Sequence, residues 1–176
     1  NLVGIYDIKQ SACDVATEKG VYVYPSFEAL LEDERVELIV CATYNDCHKD
    51  IAIRAMKAGK AVISEKPVTM CSEDLEEMIK ASEETGKLFT VHQNRRWDND
   101  YRMVKRVLDT NELGNVFSID SRVYGSRGIP GDWRREKQHG GGMLLDWGVH
   151  LLDQILMLNE GKKLLTVYAT MTNVTN

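Results

Sequence analysis

The sequence lacks several features that would assign its class at once. No apolar run approaches the roughly 20 residues that a membrane-spanning helix requires. No basic segment precedes an apolar one, as it would in a secretory signal peptide. Basic residues are not in excess, because 22 Lys and Arg face 27 Asp and Glu. The pI of about 5.4 therefore argues against a nucleic-acid-binding protein, which carries a basic stripe, so we expect neither a membrane nor a nucleic acid as partner.

Cysteine is scarce and has no metal-binding or redox spacing. The four cysteines, Cys13, Cys41, Cys47 and Cys71, form no Cys-x-x-Cys pair, and no histidine lies at zinc-finger spacing from them. This pattern is typical of reduced thiols in a cytoplasmic protein, and it predicts that location. A chain of this length buries about two thirds of its unfolded surface, so it needs no disulfide or metal. The chain opens at Asn1 inside an apolar segment, which suggests a fragment.

Strands and helices are predicted to alternate along residues 1–95. The run 37–42 is continuously apolar, as expected for a central parallel strand that is covered on both faces. The predicted strands are 2–8, 21–23, 37–42, 61–64 and 88–92, and the predicted helices are 11–19, 26–31, 46–58 and 72–85. Such alternation is typical of βαβ units around a parallel sheet. Residues 1–95 are therefore predicted to form a doubly wound α/β domain.

The pattern changes near residue 96. Helical spacing of apolar residues predicts one helix over 101–108 and a second, more apolar helix over 143–158. Residues 116–124 and 164–172 alternate between polar and apolar side chains, as half-exposed strands do. Residues 96–176 are therefore predicted to form a second, α+β domain with an antiparallel or mixed sheet.

Polar side chains follow three predicted strands at their carboxyl ends, where open α/β sheets bind ligands. Asp7 can bond the ribose hydroxyls of a dinucleotide or cap the next helix, although only six residues precede it and none forms a Gly-x-Gly-x-x-Gly turn. Asn45 can contact a cofactor, cap a helix, or do both. Lys66, kept extended by Pro67, can donate to a substrate oxygen or lie solvated in a turn. His48 is more typical of a packing or surface residue.

Three ionisable side chains lie on one face of the mostly apolar segment 143–158. They are Asp146, His150 and Asp153, at spacing i, i+4 and i+7. Burying such groups is costly unless they serve each other or a ligand. A carboxylate one turn from a histidine can orient its ring, which makes that histidine a general base. A metal site and a structural salt-bridged stripe are the competing interpretations, although no further cluster supplies metal ligands.

The loop before this segment offers two more candidates. Gly140, Gly141 and Gly142 can cradle an anion at a helix N-terminus, or only make the loop flexible. Trp133 and Arg134 together can cover a planar ring or bind a carboxylate or hydroxyl.

The order of these motifs resembles the Gfo/Idh/MocA family of NAD(P)-dependent oxidoreductases. An acid-ended strand is followed by Thr-Tyr-Asn-x-x-His, a helix ending Ala-Gly-Lys, and Glu-Lys-Pro. A Trp-Arg loop and Gly-Gly-Gly-x-Leu-x-Asp-x-Gly-x-His-x-x-Asp complete the order. The resemblance implies a Rossmann domain at 1–95 without its first βα unit. It also implies an α+β domain at 96–176 with part of an open, mostly antiparallel sheet, so the chain is incomplete at both ends relative to the family.

The resemblance also implies residue roles in hydride transfer between a nicotinamide and a carbinol carbon of a sugar or cyclic polyol. Lys66 matches the catalytic lysine that bonds the reacting hydroxyl, His150 the general acid/base, and Asp146 the acid that completes the set. Asp153 matches a residue that contacts substrate hydroxyls. The cofactor residues that it implies are Asp7, Thr43, Asn45, His48, Glu65, Lys66, Trp133 and Arg134. Trp133 and Arg134 are also expected to contact the substrate.

Some expectations stay open at this stage. Asp7 would repel a 2′-phosphate, so NAD is favoured over NADP. The Lys66–Pro67 bond is expected to be cis, and Tyr44 replaces the family's more usual proline. Two alternatives to a dehydrogenase are redox-assisted hydrolysis or elimination on a glycoside, with NAD recycled, and a non-catalytic regulatory protein that responds to a dinucleotide. The resemblance further implies a homodimer or homotetramer assembled through the C-terminal sheet.

Overall fold

The computed structural model describes residues 1–125 and 128–172. Its sheet is parallel and has the strand order β1-β2-β3. Val40 pairs with Ile63, and Ile63 pairs with Thr90, so the central strand is β2. The strands are β1 (Leu38–Cys41), β2 (Ala61–Ser64) and β3 (Phe89–Val91). Each lies inside a predicted strand, which confirms the parallel α/β class of the first domain.

The helices follow the predicted pattern to within about two residues at most ends. A π-helical turn (Leu144–Gly148) leads directly into the last helix. Gly86, predicted to stop the fourth helix, lies just after it at a φ of 64°, in the left-handed region that glycine adopts without strain. The helices are α1 (Gln10–Glu18), α2 (Phe27–Glu32), α3 (His48–Lys57), α4 (Ser72–Thr85), α5 (Asn99–Asp109) and α6 (Val149–Leu158). Within the described ranges, no helix is long and apolar enough to cross a membrane.

The core lies where α3 and α4 pack on the sheet. Ala52, Ala55 and Met56 form a stripe at helical spacing on α3 and are fully buried. They meet Val62 from β2 and Met78 from α4 in one hydrophobic cluster. Burial of each large side chain contributes about 1.5–3 kcal/mol. This packing fixes the carboxyl ends of β1 and β2, where the candidate site lies.

Neither α3 nor α4 begins with a side-chain cap. Asn45 and Asp46 do not cap α3, since they belong to a short 3₁₀ turn (Asn45–Cys47) whose polar side chains bond to another part of the chain. Ser72 is the first residue of α4 and makes no capping hydrogen bond. In contrast, Ser26 caps α2, because its hydroxyl oxygen accepts from the Ala29 N–H at 3.0 Å.

The two predicted strands nearest the N-terminus are reduced to one bridge. Ile5 pairs in parallel with Val23 and makes 2.8 Å backbone hydrogen bonds to Tyr22 and Tyr24. A strand requires a continuing ladder of such bonds to a neighbour, and in the described residues this ladder ends after one bridge. Val40 on β1 is correspondingly exposed.

The predicted second sheet is not found in the described chain. Residues 116–124 and 164–172, predicted as strands, contain no strand or bridge. Phe117 is fully exposed, and most of the other apolar side chains in both segments are exposed. Their alternating pattern is compatible with a strand in a sheet. Within 1–125 and 128–172, however, neither segment has a hydrogen-bonded neighbouring strand. The last four residues, and positions 126 and 127, lie outside the described residues.

Candidate active site

A large cavity opens at the carboxyl ends of β1 and β2. Its volume is about 1230 Å³, above the roughly 300–1,000 Å³ typical of small-molecule sites. Its wall combines the N-terminal segment, the turns after β1 and β2, and the loop before α6. Eight of the predicted site residues line it: Asp7, Thr43, Asn45, Glu65, Lys66, Trp133, Arg134 and Asp146. The structure thus gathers at one place residues that are far apart in the sequence.

Lys66 and Asp146 form an ion pair on the wall of this cavity. The Lys66 Nζ donates to the Asp146 carboxylate and to its backbone carbonyl, both at 2.9 Å. Each side chain is only 19% exposed, so the pair is less screened than a surface salt bridge. Arg134 Nε lies 3.7 Å from the same carboxylate. The Lys66–Pro67 peptide bond is cis, as the resemblance implied.

The π-helical turn around Asp146 changes the predicted stripe. In a regular helix Asp146 would sit one turn from His150 on the same face. Here the Asp146 carboxylate bonds to Lys66, and no hydrogen bond joins it to the His150 ring in the described residues. The prediction that Asp146 orients that ring is therefore wrong. Leu144 Cδ1 lies 2.9 Å from where a Gly148 Cβ would stand, so the close approach that Gly148 permits is to Leu144.

His150 is buried and lies outside the cavity wall. Its burial lowers the pKa of the imidazole, and the nearby charges of Lys66 and Arg95 lower it further. Asp146 and Asp98 act in the opposite direction but do not outweigh them. The ring is therefore neutral at pH 7, the form in which it can accept a proton.

Asp153 is bound by an arginine that sequence reasoning did not single out. Arg96 donates to both carboxylate oxygens, at 2.8 and 2.6 Å, in a bidentate pair. The Asp153 side chain is mostly buried. The available signal was the place of Arg96 in the turn after β3, since ligands bind beyond the carboxyl ends of strands in an open α/β sheet.

Asp7 lies at the cavity, in the turn before α1. Its Oδ1 accepts from the Lys9 N–H at 2.7 Å, just before α1. The N-cap position itself is held by Lys9, so Asp7 is not the cap that one interpretation predicted. Its carboxylate is exposed and keeps its other oxygen for a ligand.

His48 does not reach the cavity, so the predicted cofactor contact is not seen. Its side chain is fully buried. Its Nδ1 lies 3.0 Å from the Pro67 carbonyl oxygen and its Nε2 lies 3.3 Å from that of Thr43. Both contacts tie the turn after β1 to the turn after β2. His48 thus supports the cavity wall from behind.

The three glycines before the π-helical turn do not form an anion cradle. The N–H groups of Gly140, Gly141 and Gly142 all donate to carbonyls of their own loop, at 2.9–3.0 Å. A Cβ on Gly141 would overlap the Arg134 carbonyl oxygen. These glycines therefore let the loop fold tightly on itself beside the cavity.

The family is decided by matches that cover both predicted domains. Residues 1–93 match the model of the oxidoreductase family with an NAD-binding Rossmann fold, and residues 101–176 match the GFO/IDH/MocA C-terminal domain. The chain belongs to the Gfo/Idh/MocA oxidoreductase family. Residues 1–93 thus have a Rossmann-type, NAD-binding fold, as the sequence predicted.

Individual relatives agree with this family. The chain is 32% identical to the scyllo-inositol 2-dehydrogenase (NADP+) of Bacillus subtilis over 138 residues, which is 77% of this chain and 38% of that protein. It is 26% identical to an inositol 2-dehydrogenase of Salmonella typhimurium over 172 residues, 95% and 49% of the two chains. A solved NAD-binding protein from Listeria innocua shares 52% identity at a TM-score of 0.86, over 88% and 46% of the two chains. The chain thus spans about two fifths to half of the length of these relatives.

This Gfo/Idh/MocA protein has a histidine beside Glu65 that no sequence motif singled out. His92 Nδ1 lies 2.7 Å from Glu65 Oε1, and the Lys66 N–H donates to Oε2 at 3.2 Å. Burial alone raises the pKa of Glu65, but the hydrogen bonds from His92 and Lys66 outweigh it, so that pKa lies below its usual value. Glu65 therefore stays ionised at the cavity.

An aromatic latch, formed by Tyr44, Trp133 and His139, joins the two parts of the family fold. The Tyr44 ring stacks on His139 with centroids 4.4 Å apart and lies 5.5 Å from Trp133. Asp46 Oδ1 lies 2.8 Å from His139 Nδ1. Tyr44, the departure from the family's usual proline, thus holds the loop that carries Trp133 and Arg134.

The cavity wall carries two thiols, and the described residues show no cluster of metal ligands. Across 1–125 and 128–172, no group of three His, Cys, Asp or Glu side chains could hold a metal ion. The thiols of Cys41 and Cys47 line the cavity, but burial raises the pKa of each. They are therefore poor nucleophiles at neutral pH.

Proposed function

We propose that this protein is an NAD(P)-dependent dehydrogenase that moves a hydride between nicotinamide and a carbinol carbon of a sugar or cyclic polyol. The ion pair between Lys66 and Asp146 carries this proposal, because it places a paired ammonium on the wall of a large cavity at the carboxyl ends of the parallel strands. A protein that only binds a dinucleotide has no need of both a paired ammonium at Lys66 and a buried neutral imidazole at His150. The two inositol dehydrogenases among the relatives support the polyol class.

The roles of the three central residues follow from their charges. Oxidation of an alcohol requires a base that takes the hydroxyl proton as hydride leaves the same carbon. The Lys66 ammonium donates a hydrogen bond to the reacting oxygen, and Asp146 holds that ammonium in place. We propose that His150, which the structure keeps neutral and which lies outside the cavity wall, accepts the proton. The nicotinamide, when bound, accepts or supplies the hydride.

The residues around the cavity offer groups for both nucleoside ends of a dinucleotide. Asp7 offers a free carboxylate oxygen to ribose hydroxyls, and Asn45 and Glu65 line the same cavity as Asp7 and Lys66. The printed sequence contains no Gly-x-Gly-x-x-Gly turn for the pyrophosphate. We propose that Asp7 contacts the adenosine ribose and that Asn45, Glu65 and Lys66 lie toward the nicotinamide, with NAD preferred over NADP because Asp7 is acidic.

We propose that the loop before α6 contacts the substrate. Trp133 and Arg134 lie at the cavity, where an aromatic face and a guanidinium suit a polyhydroxylated ring. Asp153 is bound by Arg96 and does not line the cavity, so its predicted contact with substrate hydroxyls stays a prediction. The cytoplasmic location and the homo-oligomer formed through a C-terminal sheet stay predictions.

The proposal is tested with the complete protein, NAD and a panel of sugars and cyclic polyols, followed by the absorbance of NADH. We expect NADH to appear with at least one cyclic polyol and not with a Lys66→Met protein. Release of sugar from an aryl glycoside without net NADH would favour redox-assisted hydrolysis and contradict the dehydrogenase. Tight NAD binding with neither reaction would favour a regulatory protein.

A further inference from the structure

The His150 ring is held in place without a carboxylate partner. Its Nδ1 is buried and has no hydrogen-bond partner in the described chain. The edge of Trp147 packs against it, with ring centroids 6.2 Å apart and planes 73° apart. Aromatic packing of this kind contributes about 0.5–1.5 kcal/mol beyond area burial. The orientation of the imidazole therefore depends on what fixes Trp147.

Arg95 fixes Trp147. Its guanidinium lies 4.1 Å from the centre of the Trp147 ring, and Asp98 Oδ2 holds it through a 2.9 Å ion pair. The Arg95 carbonyl also accepts from Gln154 Nε2 at 2.9 Å. Trp147 and Gln154 lie on the same stretch of helix as His150, so Arg95 is attached on both sides of that histidine. A continuous contact chain thus runs from Asp98 through Arg95 and Trp147 to His150.

We propose that Arg95, acting through Trp147, is a positioning residue that holds the His150 imidazole for proton transfer. This inference rests on the proposed function, because it assigns a purpose to the general acid/base role of His150. It replaces the carboxylate partner that the sequence predicted with a cation stacked on an aromatic ring. Arginine suits the place because its planar guanidinium stacks on indole, whereas a lysine ammonium does not match that face.

The charges around His150 agree with this arrangement. The groups that act on the ring are Lys66, Arg95, Asp146 and Asp98. After burial, Lys66 and Arg95 are the causes that lower the pKa of His150, and the two aspartates raise it. Removal of the Arg95 charge should therefore raise the pKa of His150, while removal of the stack alone should leave it nearly unchanged.

Two variants separate charge from stacking. Arg95→Met keeps a long apolar side chain and removes the charge, whereas Arg95→Lys keeps the charge and removes the planar stack. Arg102→Met is the matched control, because Arg102 is exposed on the neighbouring α5 and loses the same charge. The first readout is the NMR titration of the ring protons, which is practical because the chain has four histidines. His150→Gln assigns the signal.

We expect the pKa of His150 to rise in Arg95→Met and to stay at its wild-type value in Arg95→Lys and Arg102→Met. Turnover should fall about tenfold in both Arg95 variants, because a small misplacement of a catalytic group is costly. The acid limb of the kcat/KM profile should move to higher pH in Arg95→Met only. Unchanged titration and turnover in both Arg95 variants would overturn the inference.

The titration also separates this inference from the proposed function. If His150→Gln retains wild-type turnover, the general acid/base role of His150 is wrong, and the positioning role of Arg95 falls with it. If His150→Gln is inactive but Arg95→Met titrates and turns over like the wild type, His150 keeps its role and only the positioning role fails.

Discussion

The Lys66 ammonium and the Asp146 carboxylate lie 2.9 Å apart although 80 residues separate them in the chain. Lys66 follows the central strand of the parallel sheet, and Asp146 lies in the π-helical turn before α6. The pair therefore joins the two halves of the chain at the point where the proposed chemistry takes place. Any change that separates the two halves should also inactivate the site.

The first prediction concerns the ammonium. Lys66→Met should lower turnover about 10²-fold or more, because the reacting hydroxyl loses its hydrogen-bond donor and Asp146 loses its nearest cation. Steady-state kinetics with saturating cofactor measures this effect. Lys57→Met, an exposed lysine on α3, is the control and should retain activity. Equal turnover in the two variants would show that Lys66 is not catalytic.

The second prediction concerns the carboxylate. Asp146→Asn removes a charge that raises the pKa of His150, so the acid limb of the kcat/KM profile should move to lower pH. This shift is opposite in direction to the one expected for Arg95→Met. The free energy of unfolding should also fall by about 2 kcal/mol, since the mostly buried Lys66 ammonium loses its charged partner and keeps only neutral acceptors such as the backbone carbonyl of residue 146.

The control for that change is Asp109→Asn, which breaks an exposed pair with Lys105. Such surface pairs are worth about 0–1 kcal/mol, and Asp109 is not among the groups that act on His150. A shift of the acid limb to higher pH in Asp146→Asn would contradict the charge arrangement around that ring.

The third prediction is a pH dependence of stability. The pKa of His150 is lower in the folded protein than its ordinary value of 6.5, so the unfolded chain binds more protons near that pH. Stability that is present above about pH 6.5 should be lost as the pH falls toward the folded value. The free energies of unfolding of the wild type and of His150→Gln, measured by denaturant titration, should differ above about pH 6.5. They should converge as the pH falls below that value. Parallel curves at all pH values would argue against a depressed pKa.

Local motifs were enough to predict the residues on the cavity wall. Lys66 and Asn45 follow apolar strands directly, and parallel strands bring their carboxyl ends to one edge of the sheet. Periodicity was not enough for Asp146, because it assumes 3.6 residues per turn and a π-helical turn departs from that spacing. The partners of His150 and Asp153 could not be predicted either, since Arg95 and Arg96 lie more than 50 residues away.

The strands predicted for the second domain show where local pattern was not enough. Alternation in 116–124 and 164–172 reports the faces that a strand would present, but a strand forms only when a neighbour supplies hydrogen bonds. The latch contacts of Tyr44 were also beyond reach, because stacking on His139 requires a loop to return beside the turn after β1. The sequence thus predicted which residues lie at the cavity better than it predicted which side chains they contact.

The fourth prediction concerns the choice of cofactor. Asp7 is exposed at the cavity and keeps one carboxylate oxygen free, so it should disfavour a 2′-phosphate by charge repulsion. Asp7→Asn should lower the ratio of kcat/KM for NAD to that for NADP about tenfold. Asp14→Asn, on the exposed face of α1 where it bonds Gln10, should leave that ratio unchanged. A wild-type protein that turns over faster with NADP would contradict the preference.

The fifth prediction concerns the aromatic latch. His139→Leu removes the ring stack with Tyr44 and the contact with Asp46, and the free energy of unfolding should fall by about 1 kcal/mol. The loop that carries Trp133 and Arg134 would lose its attachment to the turn after β1. KM for the polyol should therefore rise while the pKa of His150 stays unchanged. The exposed neighbour Lys137 provides the control as Lys137→Ala, and an equal KM in the two variants would show that the latch does not position the loop.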